Sequence, residues 1–250
     1  MNNSQEIDEK NKNKKNEKEK YDYRDMKLPM GMLELSEKGK RRKEEFIEKY
    51  KDMKENKDDH TEKPFYYGSN YSNVFFVCNF LMRLFPFTHI AIEIQGKLDD
   101  PNRLFLSVQN SFENSTTLAG DVRELIPEFF YFPEIFLNSN DIKLGVLENG
   151  KPVYNVLTPC KNNAYAFVEL MNRILKGDTI CKMINNWVDL IFGKLVRDED
   201  ANNIFAEKSY QENINLDNVE EKMAYLASAE YGLIPNQILQ EKCEKRKGNY

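Results

Sequence analysis

The 250-residue sequence carries a net charge of −5; 40% of its residues are hydrophobic and 12% are aromatic. That length and composition suffice for one domain with a sizeable core, while the negative charge gives no general electrostatic argument for nucleic-acid binding. The sequence shows no basic-then-apolar signal peptide, no apolar run near about 18 residues and no closely spaced cysteine pair, so it predicts a cytoplasmic protein with reduced thiols and no membrane span.

The first 20 residues are almost wholly Asn, Lys, Glu and Gln. Such a segment cannot bury enough apolar surface to offset its ordering entropy, so we predict a disordered charged tail over residues 1–20. A tether to a membrane surface or a nucleic acid is the alternative, and it is weakened because acidic residues largely offset the lysines. After a turn-rich connector, Phe46, Ile47 and Tyr50 share one face of a helix predicted from Ser36 to Met53.

Two more helices are predicted before the middle of the chain. The first covers residues 71–85 and ends at Pro86, because five apolar residues recur at helical intervals. They are Val74, Val77, Cys78, Leu81 and Leu84. The second is indicated by Leu104, Phe105, Val108 and Phe112, with Asp99 or Asp100 near its cap and Pro101 in its first turn.

The stretch from Asp121 to Asn140 combines two prolines, four phenylalanines and a tyrosine with carboxylates and amides. Pro127 and Pro133 lack a backbone donor and favour an extended residue before them, which excludes a long helix. Because the aromatic load is too heavy for a solvated loop, we predict a buried, extended and irregular segment. Its backbone groups then need side-chain partners. The candidates are Glu128, Asn138 and Asn140.

Three glutamates of this region are the candidate residues for the alternative that the protein is an enzyme. They are Glu124, Glu128 and Glu134. Two of them could form a carboxylate pair for acid–base chemistry. We favour a structural role, in which they pair with buried backbone donors or with Arg83, Arg103 and Arg123, because buried carboxylates persist when paired.

Two apolar stripes predict consecutive helices in the second half. The first contains Phe167, Leu170, Met171, Ile174 and Leu175, and the second contains Ile180, Met183, Ile184, Trp187 and Ile191. Gly177 fits the end of the first helix, Asp178 is predicted to cap the second, and the short link predicts an antiparallel pair. A last helix is predicted over residues 217–231, with Asp217 as its cap and Gly232 after its end.

Catalytic and metal-binding patterns are missing from the sequence. Neither histidine, His60 or His89, has a Cys, Asp or Glu partner at metal-ligand spacing. The sequence contains no Gly-x-Ser-x-Gly elbow and no glycine-rich phosphate loop. We therefore predict no catalytic residue, no metal and no cofactor. We interpret Trp187 as a residue that packs in the core, in preference to an exposed residue that anchors an interface. For Phe85 two interpretations are equally supported, a contact residue at the surface or a residue of a repacked core.

Four ordered motifs resemble the signature of the BEACH domain family. They are Phe-Tyr-Tyr-Gly-Ser-Asn-Tyr-Ser at 65–72, Arg-Leu-Phe-Pro-Phe-Thr at 83–88, the stretch at 121–140, and Trp-Val-Asp-Leu-Ile-Phe-Gly at 187–193. Weaker matches lie at 95–105 and 231–239, so the resemblance spans residues 23–239. It implies a structural and interaction signature. Its residues are Tyr67, Gly68, Tyr71, Arg83, Pro86, Phe87, Arg103, Glu124, Pro127, Glu128, Phe129, Pro133, Glu134, Asn138, Asn140, Trp187, Asp189 and Gly193.

The resemblance implies a mainly α BEACH fold, in which helices flank a core of extended irregular segments. The domain would occupy residues 21–240, followed by a charged tail at 241–250. By the same resemblance the chain is a non-enzymatic scaffold, cytoplasmic and peripheral on endomembranes, in vesicle, lysosome or autophagic traffic. Its partners would be proteins, among them a pleckstrin-homology-like domain and endomembrane trafficking factors, with no small-molecule substrate. The alternatives are a small hydrolase with a pocket in the irregular core, or a regulatory fragment that competes with a full-length BEACH protein.

The chain also departs from the family pattern. It resembles a short or amino-terminally truncated member, because the family's aromatic amino-terminal segment and its pleckstrin-like and propeller domains have no counterpart. We therefore expect marginal stability for the isolated chain. Lys97 and Asn70 replace a Gly and a His of the pattern, and residues 203–205 are interpreted as the remnant of a longer motif.

Overall fold

The structure is a computed structural model. It describes residues 37–56, 62–68, 74–118, 125–210, 215, 217–223, 226 and 233–246. These residues are mainly helical and form isolated β-bridges but no β-sheet, which confirms the predicted fold class. The predictions for the 1–20 tail, His60, Tyr71 and Glu124 lie outside the described residues.

The first described helix, α1, spans Glu37–Glu55 and confirms the helix predicted from Ser36 to Met53. Phe46 and Tyr50 are buried on its inner face. Helix α1 packs against α4, Val108–Thr117, and a guanidinium nitrogen of Arg42 donates to the carbonyl of Ser115 in that helix.

The helix predicted over residues 71–85 ends earlier than expected, and its first three residues lie outside the described ranges. Helix α2 spans Val74–Phe80, a turn follows, and a helix that the sequence did not predict, α3, spans Phe87–Gln95. The apolar spacing that predicted a single helix extends into the turn, because Leu81 and Met82 of the turn are buried like the last residues of α2. Pro86 immediately precedes α3 and makes no side-chain capping hydrogen bond, so it lies at the start of a helix and does not end one, in agreement with the tolerance of proline there. Helices α2 and α3 pack against each other.

The helix predicted with Pro101 in its first turn and Phe112 near its end is interrupted between Arg103 and Val108. A 3₁₀ helix at Pro101–Arg103 is capped by Asp100, whose carboxylate accepts from the amide of Asn102 at 2.8 Å. The chain then runs extended through the buried Leu104 and Phe105, and α4 begins at Val108 after the cap Ser107. Apolar spacing alone does not separate a buried extended segment from a buried helix.

The centre of the molecule is built from irregular backbone. Two 3₁₀ helices, Pro127–Phe130 and Pro133–Phe136, each begin at a proline of the predicted segment. The amide of Val156 donates to the carbonyl of Phe136 at 2.8 Å, and the amide of Leu157 donates to the carbonyl of Leu106 at 2.8 Å. Phe129, Ile135 and Phe136 are at most 1% exposed. The predicted buried irregular core is therefore confirmed, with short 3₁₀ turns in place of a wholly extended chain.

Helix α5, Ala164–Lys176, covers this core by packing on both 3₁₀ helices. It follows a left-handed turn at Pro159–Asn162, and its cap is Asn163, whose side chain accepts from the amide of Ala166 at 3.0 Å. The ring of Phe167 meets that of Phe136 edge-on at 5.4 Å. The amphipathic stripe of the sequence thus faces the core as predicted.

The second predicted stripe divides into α6, Asp178–Cys181, and α7, Ile184–Ile191. Asp178 begins α6 and makes no capping hydrogen bond, which corrects its predicted role. The predicted antiparallel pair is also wrong, because α5 packs on the 3₁₀ helices and on α6, and α7 packs on α6. The break at residues 182–183 redirects the chain before the second stripe can lie along α5.

Near the carboxyl end, residues 219–223 and 226 are helical. Asn218 caps this helix, since its side-chain oxygen accepts from the amides of Glu220 and Glu221 at 2.9 and 3.3 Å. The cap lies one residue beyond the predicted Asp217. Within the described ranges, no helix combines the length and apolar character that crossing a membrane requires.

Candidate functional site

The motif at residues 65–68 forms one side of an aromatic cluster. The amides of Tyr66 and Tyr67 donate to the carbonyl of Ile204 at 2.9 and 3.3 Å, and the ring of Tyr67 lies 4.8 Å from that of Phe205. The sequence at residues 203–205 indicated only the remnant of a longer motif and did not predict this contact with Tyr67. The buried Asn203 amide supports the joint, because it donates to the carbonyls of Leu190 and Leu195 at 2.8 and 2.7 Å.

Two other residues of this motif differ in their surroundings. Tyr66 stacks on Tyr50 at 4.1 Å, and burial raises the pKa of Tyr66 to about 12. Gly68 is exposed, and the nearest atom to a Cβ added there would be a Phe65 ring carbon at 3.8 Å. The space around Gly68 would therefore accommodate a Cβ, so no neighbouring atom requires a glycine at this position.

Arg83 lies at the centre of the molecule with no exposed surface. Its Nε donates to the carbonyl of Tyr154 at 2.6 Å, and its own carbonyl accepts from the Asn140 side chain at 3.3 Å. Both terminal guanidinium nitrogens are buried and have no hydrogen-bond partner among the described residues. Burial lowers the pKa of Arg83 to about 10, since a desolvated cation is disfavoured.

The pairing predicted for Glu128 and Glu134, with arginines or buried backbone donors, is not found among the described residues, and Glu124 and Arg123 lie outside them. Glu128 accepts from the hydroxyl of Tyr131 at 3.4 Å, and Arg103 approaches Asp99 at 3.6 Å. Glu128 and Glu134 stand in the first turns of 3₁₀ helices and keep part of their surface exposed. Their positions at the rim of the core leave Arg83 without a carboxylate.

Asn138 satisfies the backbone of the irregular segment, the role predicted for it. Its amide nitrogen donates to the carbonyl of Ile142 at 2.9 Å, and its amide oxygen accepts from the Ile142 amide at 3.0 Å. The Asn138 backbone amide donates to the side chain of Asn155 at 2.7 Å. Asn138 is 1% exposed, so this reciprocal pair lies in the core.

The motif at residues 187–193 holds the last described segment of the chain, residues 233–246. The buried carboxylate of Asp189 accepts from the amide of Cys243 at 2.8 Å. The carbonyl of Phe192 accepts from the amides of Ile238 and Leu239 at 2.8 and 2.9 Å. We call these three hydrogen bonds the C-terminal clasp. The domain boundary at residue 240 stays a prediction, although Cys243 beyond it takes part in the clasp.

The aromatic residues of the signature lie at different depths. Phe129 is buried and meets the ring of Phe136 edge-on at 5.3 Å. Trp187 is half-buried, 6.0 Å from the ring of Phe192, and packs against a small apolar cluster, in agreement with core filler. Phe85 is 55% exposed and stacks on His89 at 5.3 Å, which settles its open interpretation in favour of the surface.

The three prolines of the signature and Phe87 mark turns. Pro86 is exposed and follows a cis peptide bond, while Phe87 is half-buried against the core. Pro127 is exposed and Pro133 half-buried, each at the start of its 3₁₀ helix. The signature is therefore spread through the molecule and does not converge on one reactive centre.

A groove of about 370 Å³ lies between α2 and α4. Phe75, Phe76 and Asn79 line it from α2. Asn110, Ser111 and Asn114 line it from α4, with Leu104 and Leu106 between the two helices. Local sequence patterns do not predict this groove, because its walls come from segments that are about 30 residues apart in the sequence.

In the described part of the chain, no three His, Cys, Asp or Glu side chains are grouped closely enough to hold an ion. His89, the histidine that the structure describes, is exposed. The side chains that could have formed a hydrolytic site, those of Asn138 and Asn140, bind backbone groups instead.

Comparison with known proteins finds one family across nearly the whole chain. The family model described as Beige/BEACH domain matches residues 3–246. BEACH domain-containing protein B of Arabidopsis thaliana is 36% identical over 234 residues, covering 90% of this chain and 9% of that protein. Beige protein homolog 1 of Schizosaccharomyces pombe is 32% identical over 231 residues, and the putative neurobeachin homolog of Caenorhabditis elegans is 33% identical over 229. Both alignments cover 88% of this chain and 9% of the relative, so the chain spans less than a tenth of the length of these relatives.

Proposed function

The chain belongs to the BEACH domain family, and from that membership we propose that it is a protein-interaction scaffold module in vesicle, lysosome or autophagic traffic. In this proposal the module is cytoplasmic and peripheral on endomembranes. Its partners are endomembrane trafficking proteins and a pleckstrin-homology-like domain.

The observation that carries the proposal is the use of polar signature side chains inside the fold. Asn138 binds the backbone of Ile142, Arg83 binds the carbonyl of Tyr154, and Asp189 binds the amide of Cys243. Groups committed to buried backbone partners are not free to act on a substrate. They hold irregular segments in one arrangement, and a fixed surface shape is what a binding partner recognises.

The hydrolase alternative is not favoured. It required titratable and amide groups to converge around Glu128, Asn138 and Asn140, whose hydrogen bonds go to Tyr131 and to backbone carbonyls. Members of the BEACH family are generally not enzymes.

Proximity labelling in cells tests the proposal. The chain fused to a biotin ligase should label endomembrane proteins above the level reached by the ligase alone. Labelling confined to ribosomal proteins and metabolic enzymes would contradict a trafficking role.

Membrane fractions should lose the chain after an alkaline carbonate wash if its association is peripheral.

A binding assay tests the partner domain. A separately expressed pleckstrin-homology-like domain should bind the purified chain in calorimetry. If the chain binds this domain and also displaces a full-length BEACH protein from it, the competing-fragment alternative is supported over the scaffold. Absence of binding refutes this partner.

A further inference from the structure

We propose that Asn149 is a site of spontaneous deamidation, at which the backbone nitrogen of Gly150 attacks the side-chain amide and water completes the conversion to aspartate and isoaspartate. The two residues belong to an exposed turn, residues 147–151, which we call the 147–151 turn. This modification does not depend on the proposed scaffold function, because the turn lies outside the family signature.

The reaction needs no reagent besides water. A bond forms between the nitrogen of Gly150 and Cγ of Asn149, the bond from Cγ to Nδ2 breaks, and ammonia leaves with the proton of the Gly150 amide. Water then adds to one of the two carbonyl carbons of the resulting succinimide ring. Opening at the side-chain carbon gives aspartate. Opening at the main-chain carbon gives isoaspartate, in which the backbone continues through Cβ and Cγ of residue 149.

The sequence distinguishes Asn149 from every other asparagine of the chain. Asn149 is the one asparagine in the sequence that precedes a glycine. The attacking nitrogen therefore belongs to a residue without a Cβ, and no side chain crowds the approach to the amide carbon.

The structure leaves both reacting residues open to water. Residues 148–151 are all exposed. Gly150 has a φ of +78°, and a Cβ added there would find no atom within 4 Å. Exposed turn tips of small and polar residues are also the parts of a fold that open locally at the lowest free-energy cost.

A hydrogen bond holds the Asn149 side chain beside the nitrogen that attacks it. Oδ1 of Asn149 accepts from the backbone amide of Lys151 at 3.1 Å. The ring closed by this bond contains Gly150, so Cγ of Asn149 stays close to the Gly150 nitrogen. Attack places negative charge on Oδ1, and a donor that already points at this oxygen stabilises the charge.

Another hydrogen bond of the 147–151 turn opposes the reaction. The amide of Gly150 donates to the carbonyl of Leu147 at 2.9 Å, and this bond must open before the nitrogen can attack. Because Gly150 is exposed, water can replace the Leu147 carbonyl as its partner. The opening is therefore confined to the turn and does not require the domain to unfold.

Other asparagines are held in less reactive surroundings. Asn138 is 1% exposed, and both atoms of its side-chain amide bind the backbone of Ile142. Asn110 and Asn114 lie inside α4, where the helix fixes the backbone nitrogens that would attack. Among the described asparagines, we therefore expect Asn149 to react fastest in the native chain.

Deamidation changes the charge and the length of the 147–151 turn. The new carboxylate lies next to Glu148, so an exposed negative charge is added to the turn. The amide of Glu148 donates to the side chain of Asn102 at 3.3 Å. The longer backbone of isoaspartate should displace this contact between the turn and the 3₁₀ helix at Pro101–Arg103.

Peptide mapping of the purified native chain tests the inference after incubation at mildly alkaline pH in heavy-oxygen water. The tryptic peptide 144–161 should gain the mass that separates OH from NH₂, together with one heavy oxygen, and fragment spectra should place the change at Asn149. Its conversion should be at least about tenfold faster than that of any other described asparagine. Protein isoaspartyl methyltransferase with S-adenosylmethionine should methylate the product. A mass change without methylation would show direct hydrolysis and overturn the attack by Gly150.

A glycine variant tests the nucleophile. Gly150→Asn keeps a residue that tolerates the left-handed backbone but adds a side chain beside the attacking nitrogen, so conversion of Asn149 should slow by at least about tenfold. Gly96→Asn is the matched control, because Gly96 has a φ of +75° and is equally open. Its conversion rate at Asn149 should equal that of the wild type. Equal rates for Gly150→Asn and the wild type would overturn the inference.

Incubation in urea separates the sequence from the fold. The unfolded chain should also convert Asn149, because the Asn149–Gly150 pair is present in both states. If Asn149 reacts in urea but stays unmodified in the native chain over the same period, the hydrogen bond from Gly150 to Leu147 protects it and the inference is wrong.

Discussion

Gly193→Ala should destabilise the chain through a clash at the end of α7. An added Cβ would lie 2.7 Å from the Cα and 2.9 Å from the Oδ1 of Asp189. The Cα belongs to helix backbone, so relief requires a shift of the last turn of α7. Overpacking of this kind costs about 1–3 kcal/mol. A shift of Asp189 also weakens its hydrogen bond to Cys243, and an unsatisfied buried group costs about 1–3 kcal/mol.

The combined loss should be about 2–6 kcal/mol in the free energy of unfolding. Urea denaturation followed by circular dichroism should show a midpoint lower by about 0.7–2 M, given an m-value near 3 kcal/mol per M. Gly68→Ala is the matched control, because the nearest atom to its added Cβ is 3.8 Å away. Its midpoint should stay within about 0.3 M of the wild type. Equal midpoints for Gly193→Ala and Gly68→Ala would refute the close approach to Asp189.

Three further predictions concern single side chains. Asn138→Ala should lower the free energy of unfolding by about 2–4 kcal/mol, because the amide and the carbonyl of Ile142 both lose their partner in the core. Substitution of the exposed Asn140 by alanine should cost less than about 1 kcal/mol. Equal losses of the two variants in urea titrations would contradict this. Arg83→Met should have a free energy of unfolding within about 1 kcal/mol of that of the wild type, or higher, since the substitution removes a buried cation with two unpartnered nitrogens. A decrease of more than about 3 kcal/mol would indicate that the charge of Arg83 is paired. Because burial raises the pKa of Tyr66 to about 12, its contribution to stability should be complete below pH 10 and be lost between pH 10 and 12. The fall of the urea midpoint over that interval should therefore be smaller in Tyr66→Phe, and an unchanged fall would contradict the shift.

The helices that the sequence predicted best are those with long amphipathic stripes. The predicted limits of α1 were within two residues of the observed ones, and α5 ends at Gly177 as expected. Local spacing is sufficient there because one face of each helix meets the core. The helix predicted to begin at Pro101 is interrupted at Leu104, because a buried extended segment has the same apolar content as a helix.

The roles of the signature residues were only partly accessible from sequence. Asn138 could be predicted as a backbone partner, because Pro127 and Pro133 exclude a helix and leave backbone groups to satisfy. Glu128 and Glu134 do not pair with Arg83, contrary to the prediction. The 3₁₀ turns that begin at the prolines keep Glu128 and Glu134 near the surface, and no local pattern fixes that geometry.

The sequence by itself determined the family, the mainly α class and the buried irregular centre, because these follow from ordered motifs and local chain chemistry. Only the tertiary structure decided which segments meet. It joined Tyr67 to Ile204 and Phe205, Asp189 to Cys243, and α2 to α4 around a groove. These partners lie about 30 to 140 residues apart in the sequence. Contacts over such separations depend on how the whole chain packs, and no periodicity within a segment encodes them.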